Sequence, residues 1–209
     1  MIKGMNLTKT PSRKKVPILL LAILLIAFAA LAVFLLQSRF NPLPQILAST
    51  TASKERQPFP EINASNLSEK QQSLIALLKQ EYSLNPEGAK YSQGVNEAWC
   101  ADFVSWIYNE TGTPLENPNS GSWRIPGTYT LREYYESQNR LRLAGSGYSP
   151  KVGDIMLYDN PSPFGQHTNI VIKNDEGVVT TIGGNEPGGI RIITHTTPDR
   201  AGFIGYGVY

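Results

Sequence analysis

Cys100 is the only cysteine in the chain, within the run Trp-Cys-Ala-Asp-Phe-Val-Ser-Trp at residues 99–106. It cannot form an internal disulfide. The pattern around it predicts the start of a helix, and His167 follows 67 positions later at the head of His-Thr-Asn-Ile-Val-Ile. A thiol at a helix N-terminus with a distant histidine is the layout of a cysteine hydrolase. The thiolate is the reactive form; free thiols titrate near pH 8.5, and a helix N-terminus or a neighbouring imidazolium lowers that value. In this reading Cys100 is the nucleophile, and backbone N–H groups of the first helical turn are available to an oxyanion. His167 is the general base and later the acid, with an ordinary pKa near working pH. The other histidine, His195, falls near the end of a later strand and is the weaker candidate. A third polar group should orient the imidazole. Asn185, in Thr-Ile-Gly-Gly-Asn-Glu, is the candidate, with Glu186 beside it as the alternative; the same Gly-Gly-Asn run is also good turn chemistry.

These residues need a scaffold. Ser68 and Gln71 make a capping-box pattern ahead of Leu74, Ile75, Leu77, Leu78 and Tyr82, which predicts a helix over 69–82. Asn96 is the expected N-cap of a second helix over 97–110, with Trp99, Phe103, Trp106 and Ile107 on one face and Gly112 ending it. Residues 112–128 read as a long loop and 130–138 as a short third helix. After Pro150 the character changes to short β-prone runs at 155–158, 168–173, 178–182, 189–194 and 204–209, separated by turn residues. Helices first and strands second predict an α+β domain with an antiparallel sheet or small open barrel.

The N-terminal part has a different character. Val16 to Leu36 is a 21-residue run with no charged or polar side chain, long enough to cross a ~30 Å hydrocarbon core. Five lysines and arginines and no acid precede it, which predicts a cytoplasmic N-terminus and an exported remainder. The run exceeds the apolar part of a secretory signal peptide, and small-residue cleavage sites such as Ala48 and Ala52 lie well beyond it; a retained anchor is expected. No cysteine lies at the end of the run to carry a lipid. The expected organisation is a basic segment at 1–15, a transmembrane signal anchor at 16–37, an extended Pro/Ser/Thr-rich tether at 38–65, and a catalytic domain at 66–209. Six of the 19 lysines and arginines lie in residues 1–40, leaving 13 against 17 acids in the exported part. The formal charge of +2 is therefore a topology signal and argues against a nucleic-acid partner.

Four pieces together resemble the CHAP domain (cysteine, histidine-dependent amidohydrolase/peptidase), a papain-like family of cell-wall hydrolases. They are residues 99–106, Val-Gly-Asp-Ile at 152–155, the strand opening at His167, and Ile-Gly-Gly-Asn at 182–185. The resemblance spans about residues 70–209. It implies a papain-like fold and hydrolysis of amide bonds in peptidoglycan, either between muramic acid and L-Ala or within the peptide stem or cross-bridge. The family often has an acid two places before the asparagine, where this chain has Gly183, leaving Asn185 as the expected third member. Some relatives bind calcium through acids flanking the cysteine. Asp102 matches one such position, but residues 83–96 supply only Glu87, so neither a metal nor another cofactor is expected and Asp102 reads as a solvated or capping acid. Tyr91, Trp99, Trp123, Tyr129 and Tyr134 would either line a polymer groove or belong to the core. Two alternatives remain: a wall-binding or scaffold domain that kept the fold and lost activity, and an exported cysteine protease acting on proteins.

Overall fold

The first regular helix starts where its capping box places it. Ser68 Oγ accepts from the Gln71 N–H at 3.3 Å and Gln71 Oε1 accepts from the Ser68 N–H at 3.0 Å, opening α1 at Glu69–Leu84. The computed structural model describes residues 56–195 and 201–209, so the basic segment, the proposed membrane segment and the tether up to residue 55 lie outside the described residues. Among the described residues no helix is long and apolar enough to cross a membrane. Two further helices follow, α2 at Cys100–Glu110 and α3 at Thr128–Ser137.

The strands are β1 Leu141–Leu143, β2 Ile155–Tyr158, β3 His167–Asp175, β4 Val178–Glu186, β5 Gly189–His195 and β6 Phe203–Gly207. They form one antiparallel sheet in the order β1-β6-β2-β3-β4-β5, with β1 and β5 as its edges. The α+β class with helices on an antiparallel sheet is as expected. All four residues of β2 are buried, because the sheet is covered on both faces. Ile155 and Leu157 join Leu74, Leu78, Phe103, Ile107, Ile170 and Ile182 in the helix-side core. Met156 and Tyr158 pack with Val171, Val179 and Tyr206 in a second cluster. The Val-Gly-Asp-Ile motif is structural: Asp154 Oδ2 accepts from Tyr148 Oη at 2.8 Å and the Lys151 N–H at 2.7 Å, and its Oδ1 accepts from the Tyr209 N–H at 2.8 Å.

Helix α2 packs on β3 and β4. What permits this is Gly184. A Cβ there would lie 2.3 Å from Trp99 Cζ3 and 2.9 Å from Phe103 Cβ. Gly184→Ala is therefore expected to destabilise the domain by about 1–3 kcal/mol, the range for forcing extra volume into a packed contact. Urea unfolding should show this as a lower midpoint with an unchanged slope.

Residues 56–65, read from sequence as the end of the tether, also make specific contacts. The Tyr82 hydroxyl donates to the Gln57 carbonyl at 2.6 Å, Gln57 Nε2 donates to the Ile192 carbonyl at 2.7 Å, and Arg56 donates to the carbonyls of Tyr82 and Ile190. This segment runs beside α1 and the β5 edge, and Arg56–Tyr209 forms one compact unit.

Candidate active site

The second helix starts three residues later than the sequence pattern predicts. Asn96 is exposed and does not cap it; Trp99 occupies the N-cap position, and no side chain bonds the first turn. The cause is Trp99 itself. Its indole stacks on Tyr91 at 5.2 Å and 13° and meets Phe103 edge-on at 6.3 Å. That packing holds its backbone at φ −111°, ψ 19°, outside the helix. Cys100 becomes the first helical residue, and the first intrahelical bond is from the Phe103 N–H to the Trp99 carbonyl at 2.9 Å. The N–H groups of Cys100, Ala101 and Asp102 precede that bond and carry the positive end of the helix dipole.

Strand β3 brings His167 to this helix end. The imidazole bonds Glu186, and the Cys100 side chain lies close enough to raise its pKa. Its Nε2 lies 2.8 Å from Glu186 Oε1. Both members of the pair are nearly enclosed, Cys100 at 4% exposure and His167 at 5%. Burial alone pulls the imidazolium pKa down. The hydrogen bonds and negative charges of Cys100 and Glu186 outweigh it and raise the pKa from its ordinary 6.5 to about 10. The sequence reading took His167 as a base with an ordinary pKa; in the folded chain it already holds its proton at neutral pH. Phe164, in the loop before β3, lies with its ring 6.1 Å from the imidazole.

The structure separates the two candidates for the third position. Glu186 contacts His167, whereas Asn185 is exposed, with φ 60°. The reason is a register shift in the β4–β5 pairing between Gly183 and Glu186. The Gly-Gly-Asn run, read as a turn, continues the strand through a bulge, and the bulge re-aims the next side chain. His195 lies elsewhere, buried in β5 with Nε2 3.0 Å from Thr181 Oγ1.

Asp102 is neither solvated nor a cap. It is fully buried and its Oδ1 accepts from Arg124 Nε at 2.7 Å, while Arg124 also pairs with Glu97. Burial raises the Asp102 pKa, and the Arg124 guanidinium opposes that rise. Among the described residues no group of three or more His, Cys, Asp or Glu side chains is placed to hold a metal ion.

One groove is lined by Glu87, Asn96, Glu97, Trp99 and Asn185 among others and includes neither Cys100 nor His167. Trp99 immediately precedes Cys100 and Asn185 immediately precedes Glu186 in the chain. Two larger grooves, one along Phe59–Asn63 and one around Tyr134 and Tyr209, include neither Cys100 nor His167. Of the five aromatics assigned to a groove or the core, Tyr91 and Tyr134 are buried, Trp99 is half-buried at the groove, Trp123 is half-buried, and Tyr129 is exposed.

The family model of the CHAP domain matches residues 90–185, from the approach to the cysteine helix to the residue before Glu186. No curated protein matches the chain.

Proposed function

We propose, from the premise that residues 90–185 form a CHAP domain, that the chain is a membrane-anchored, exported cysteine amidohydrolase or peptidase. Its substrate is an amide bond of peptidoglycan. The observation that carries this reading is the buried His167–Glu186 pair with Cys100 beside it at an uncapped helix end. Val16 to Leu36 is the anchor and leaves the catalytic domain on the outer side of the membrane.

The chemistry follows from the proton already residing on His167. The Cys100 sulfur, as thiolate, attacks the carbonyl carbon, and the negative charge moves to the carbonyl oxygen. N–H groups at the start of α2, that of Cys100 first, stabilise that oxyanion. As the C–N bond breaks, His167 Nδ1–H gives its proton to the leaving amine, producing a thioester and a free amine. Water then enters, the neutral imidazole takes one of its protons, and the resulting hydroxide attacks the thioester. The carboxylic acid departs and loses its proton to solvent, and the sulfur is again a thiolate beside an imidazolium. Glu186 holds the ring in orientation and stabilises its charged form throughout.

The direct test is to incubate the full-length chain, in detergent, with purified peptidoglycan and to identify the released fragments by mass spectrometry. New carboxyl and amino ends within the stem or cross-bridge identify an endopeptidase. Intact glycan strands with free stems beginning at L-Ala identify an amidase. No fragments, with the fold intact, would support a binding domain, and cleavage of casein alone would support a protease acting on proteins.

A further inference from the structure

Glu186 stands at the tip of an edge hairpin, although it must hold a short contact. It ends β4, pairs across the turn with Gly189, and is followed by exposed Pro187 and Gly188 at the edge of the sheet. An edge hairpin tip of this kind has few neighbours to fix it. The neighbour it has is Asn85, which ends α1 about a hundred residues earlier.

Asn85 caps α1 with its backbone in the left-handed region, φ 47° and ψ 53°, and its own N–H bonds the Glu81 carbonyl at 2.8 Å. The side chain is directed to the hairpin. Its Oδ1 accepts from the Ile190 N–H at 2.8 Å and its Nδ2 donates to the Gly188 carbonyl at 3.1 Å. One carboxamide thus grips both sides of Gly189, as a neighbouring strand residue would. Gly189 is the residue that lets it approach, with φ +104° and no Cβ; a Cβ there would lie 2.5 Å from Asn85 Oδ1. Two arginines reinforce the grip. Arg191 Nε donates to the Pro187 carbonyl at 2.8 Å, and Arg56 donates to the Ile190 carbonyl at 3.3 Å.

We propose that Asn85 is a positioning residue: by clamping the 186–190 hairpin to the end of α1 it holds Glu186 against His167. The proposal rests on reading Cys100, His167 and Glu186 as the reacting group. A purely structural role as a helix cap makes a different demand. A cap in the left-handed region needs only the backbone conformation, which glycine supplies best. Asn85→Gly therefore keeps the helix end and removes the clamp.

The experiment follows the two histidines of the full-length chain in detergent by NMR titration, with His167→Ala to assign the signals, and measures peptidoglycan hydrolysis in parallel. In Asn85→Gly the His167 pKa is expected to fall below its wild-type value, and kcat to fall roughly three- to tenfold with KM within about twofold, the pattern of a misaligned group and not of weakened binding. Asn85→Asp, which keeps the acceptor for the Ile190 N–H but loses the donor to Gly188, is expected to be intermediate. Glu186→Gln is the reference. If it lowers the His167 pKa and kcat while Asn85→Gly leaves both at wild-type values, Asn85 is a cap only and the proposal is overturned. If Glu186→Gln itself changes neither, the reading of the site fails instead. Should Asn85→Gly not fold, Asn85→Asp decides: wild-type titration and kcat overturn the proposal, and lowered values support it.

Discussion

Cys100→Ala is expected to reduce peptidoglycan hydrolysis by roughly 10³–10⁶-fold, the scale on which removing a covalent nucleophile acts, while the chain stays folded. Only the sulfur is removed from a nearly enclosed site, and the main partner lost is His167. The same variant has a readout independent of turnover. Interactions with the Cys100 side chain are among the causes that raise the pKa of His167. Without them, burial opposes only Glu186, and the His167 pKa should fall well below about 10. An unchanged His167 titration in Cys100→Ala would mean that the two side chains are not coupled in solution. Fragment release at the wild-type rate would remove Cys100 from the mechanism altogether.

Stability carries the same signature. The folded chain binds the His167 proton more tightly than the unfolded chain, so the stabilisation from this site is complete below about pH 6.5. It is lost as pH rises through about 10. Activity has a related limit. The leaving amine needs the imidazolium proton, so kcat/KM in the wild type should decline on an alkaline limb near pH 10.

The sequence made most of the scaffold legible and singled out the two side chains proposed to react, and specific residues show why. The capping box at Ser68 and Gln71 and the spacing of Leu74 and Leu78 place α1 because local hydrogen bonds and one apolar face suffice to specify it. Its end was read two residues early, at Tyr82, because the terminating signal is the backbone of Asn85. The four residues of β2 were placed without error because a short apolar run before a turn has few alternatives. The start of α2 was misplaced because Asn96 is a good cap by composition, whereas aromatic packing of Trp99 on Tyr91, a tertiary contact, decides where the helix begins. Strand β1, only Leu-Arg-Leu, is too short to show alternation and exists because β6 pairs with it.

Gly183 and Gly184 were the most misleading residues. As a pair before Asn185 they read as a turn, yet both lie within β4 and are small because of what approaches them. Gly184 faces Trp99 and Phe103. Gly183 faces Asn169, whose Oδ1 would lie 1.7 Å from a Cβ at that position. The side chain of Asn169 thus fills the space where the resemblance led one to expect an acid. The carboxylate next to the imidazole comes instead from Glu186, three residues later, so the absence of an acid at 183 does not leave His167 without an anionic partner.

Two substitutions at adjacent positions should therefore behave very differently. Glu186→Gln keeps the size and a hydrogen-bonding oxygen but removes the charge. It is expected to lower kcat/KM by roughly 10²–10⁴-fold, as neutralising the orienting carboxylate does in comparable relays. The pH profile gives the cause. Glu186 raises the His167 pKa through its hydrogen bond and its charge, while burial lowers it. In Glu186→Gln the alkaline limb should move from near pH 10 toward neutrality, and part of the lost activity should return on lowering the pH, where the weakened imidazolium is again populated. Asn185→Ala removes an exposed side chain at the groove edge and leaves the 2.8 Å contact between Glu186 and His167 in place. Its kcat should stay within roughly threefold of wild type, with any change falling on KM. The opposite ranking, with Asn185→Ala crippled and shifted in pH while Glu186→Gln works normally, would assign the orienting role to Asn185. The bulge in β4 would then have to relax in solution to exchange one side chain for the other.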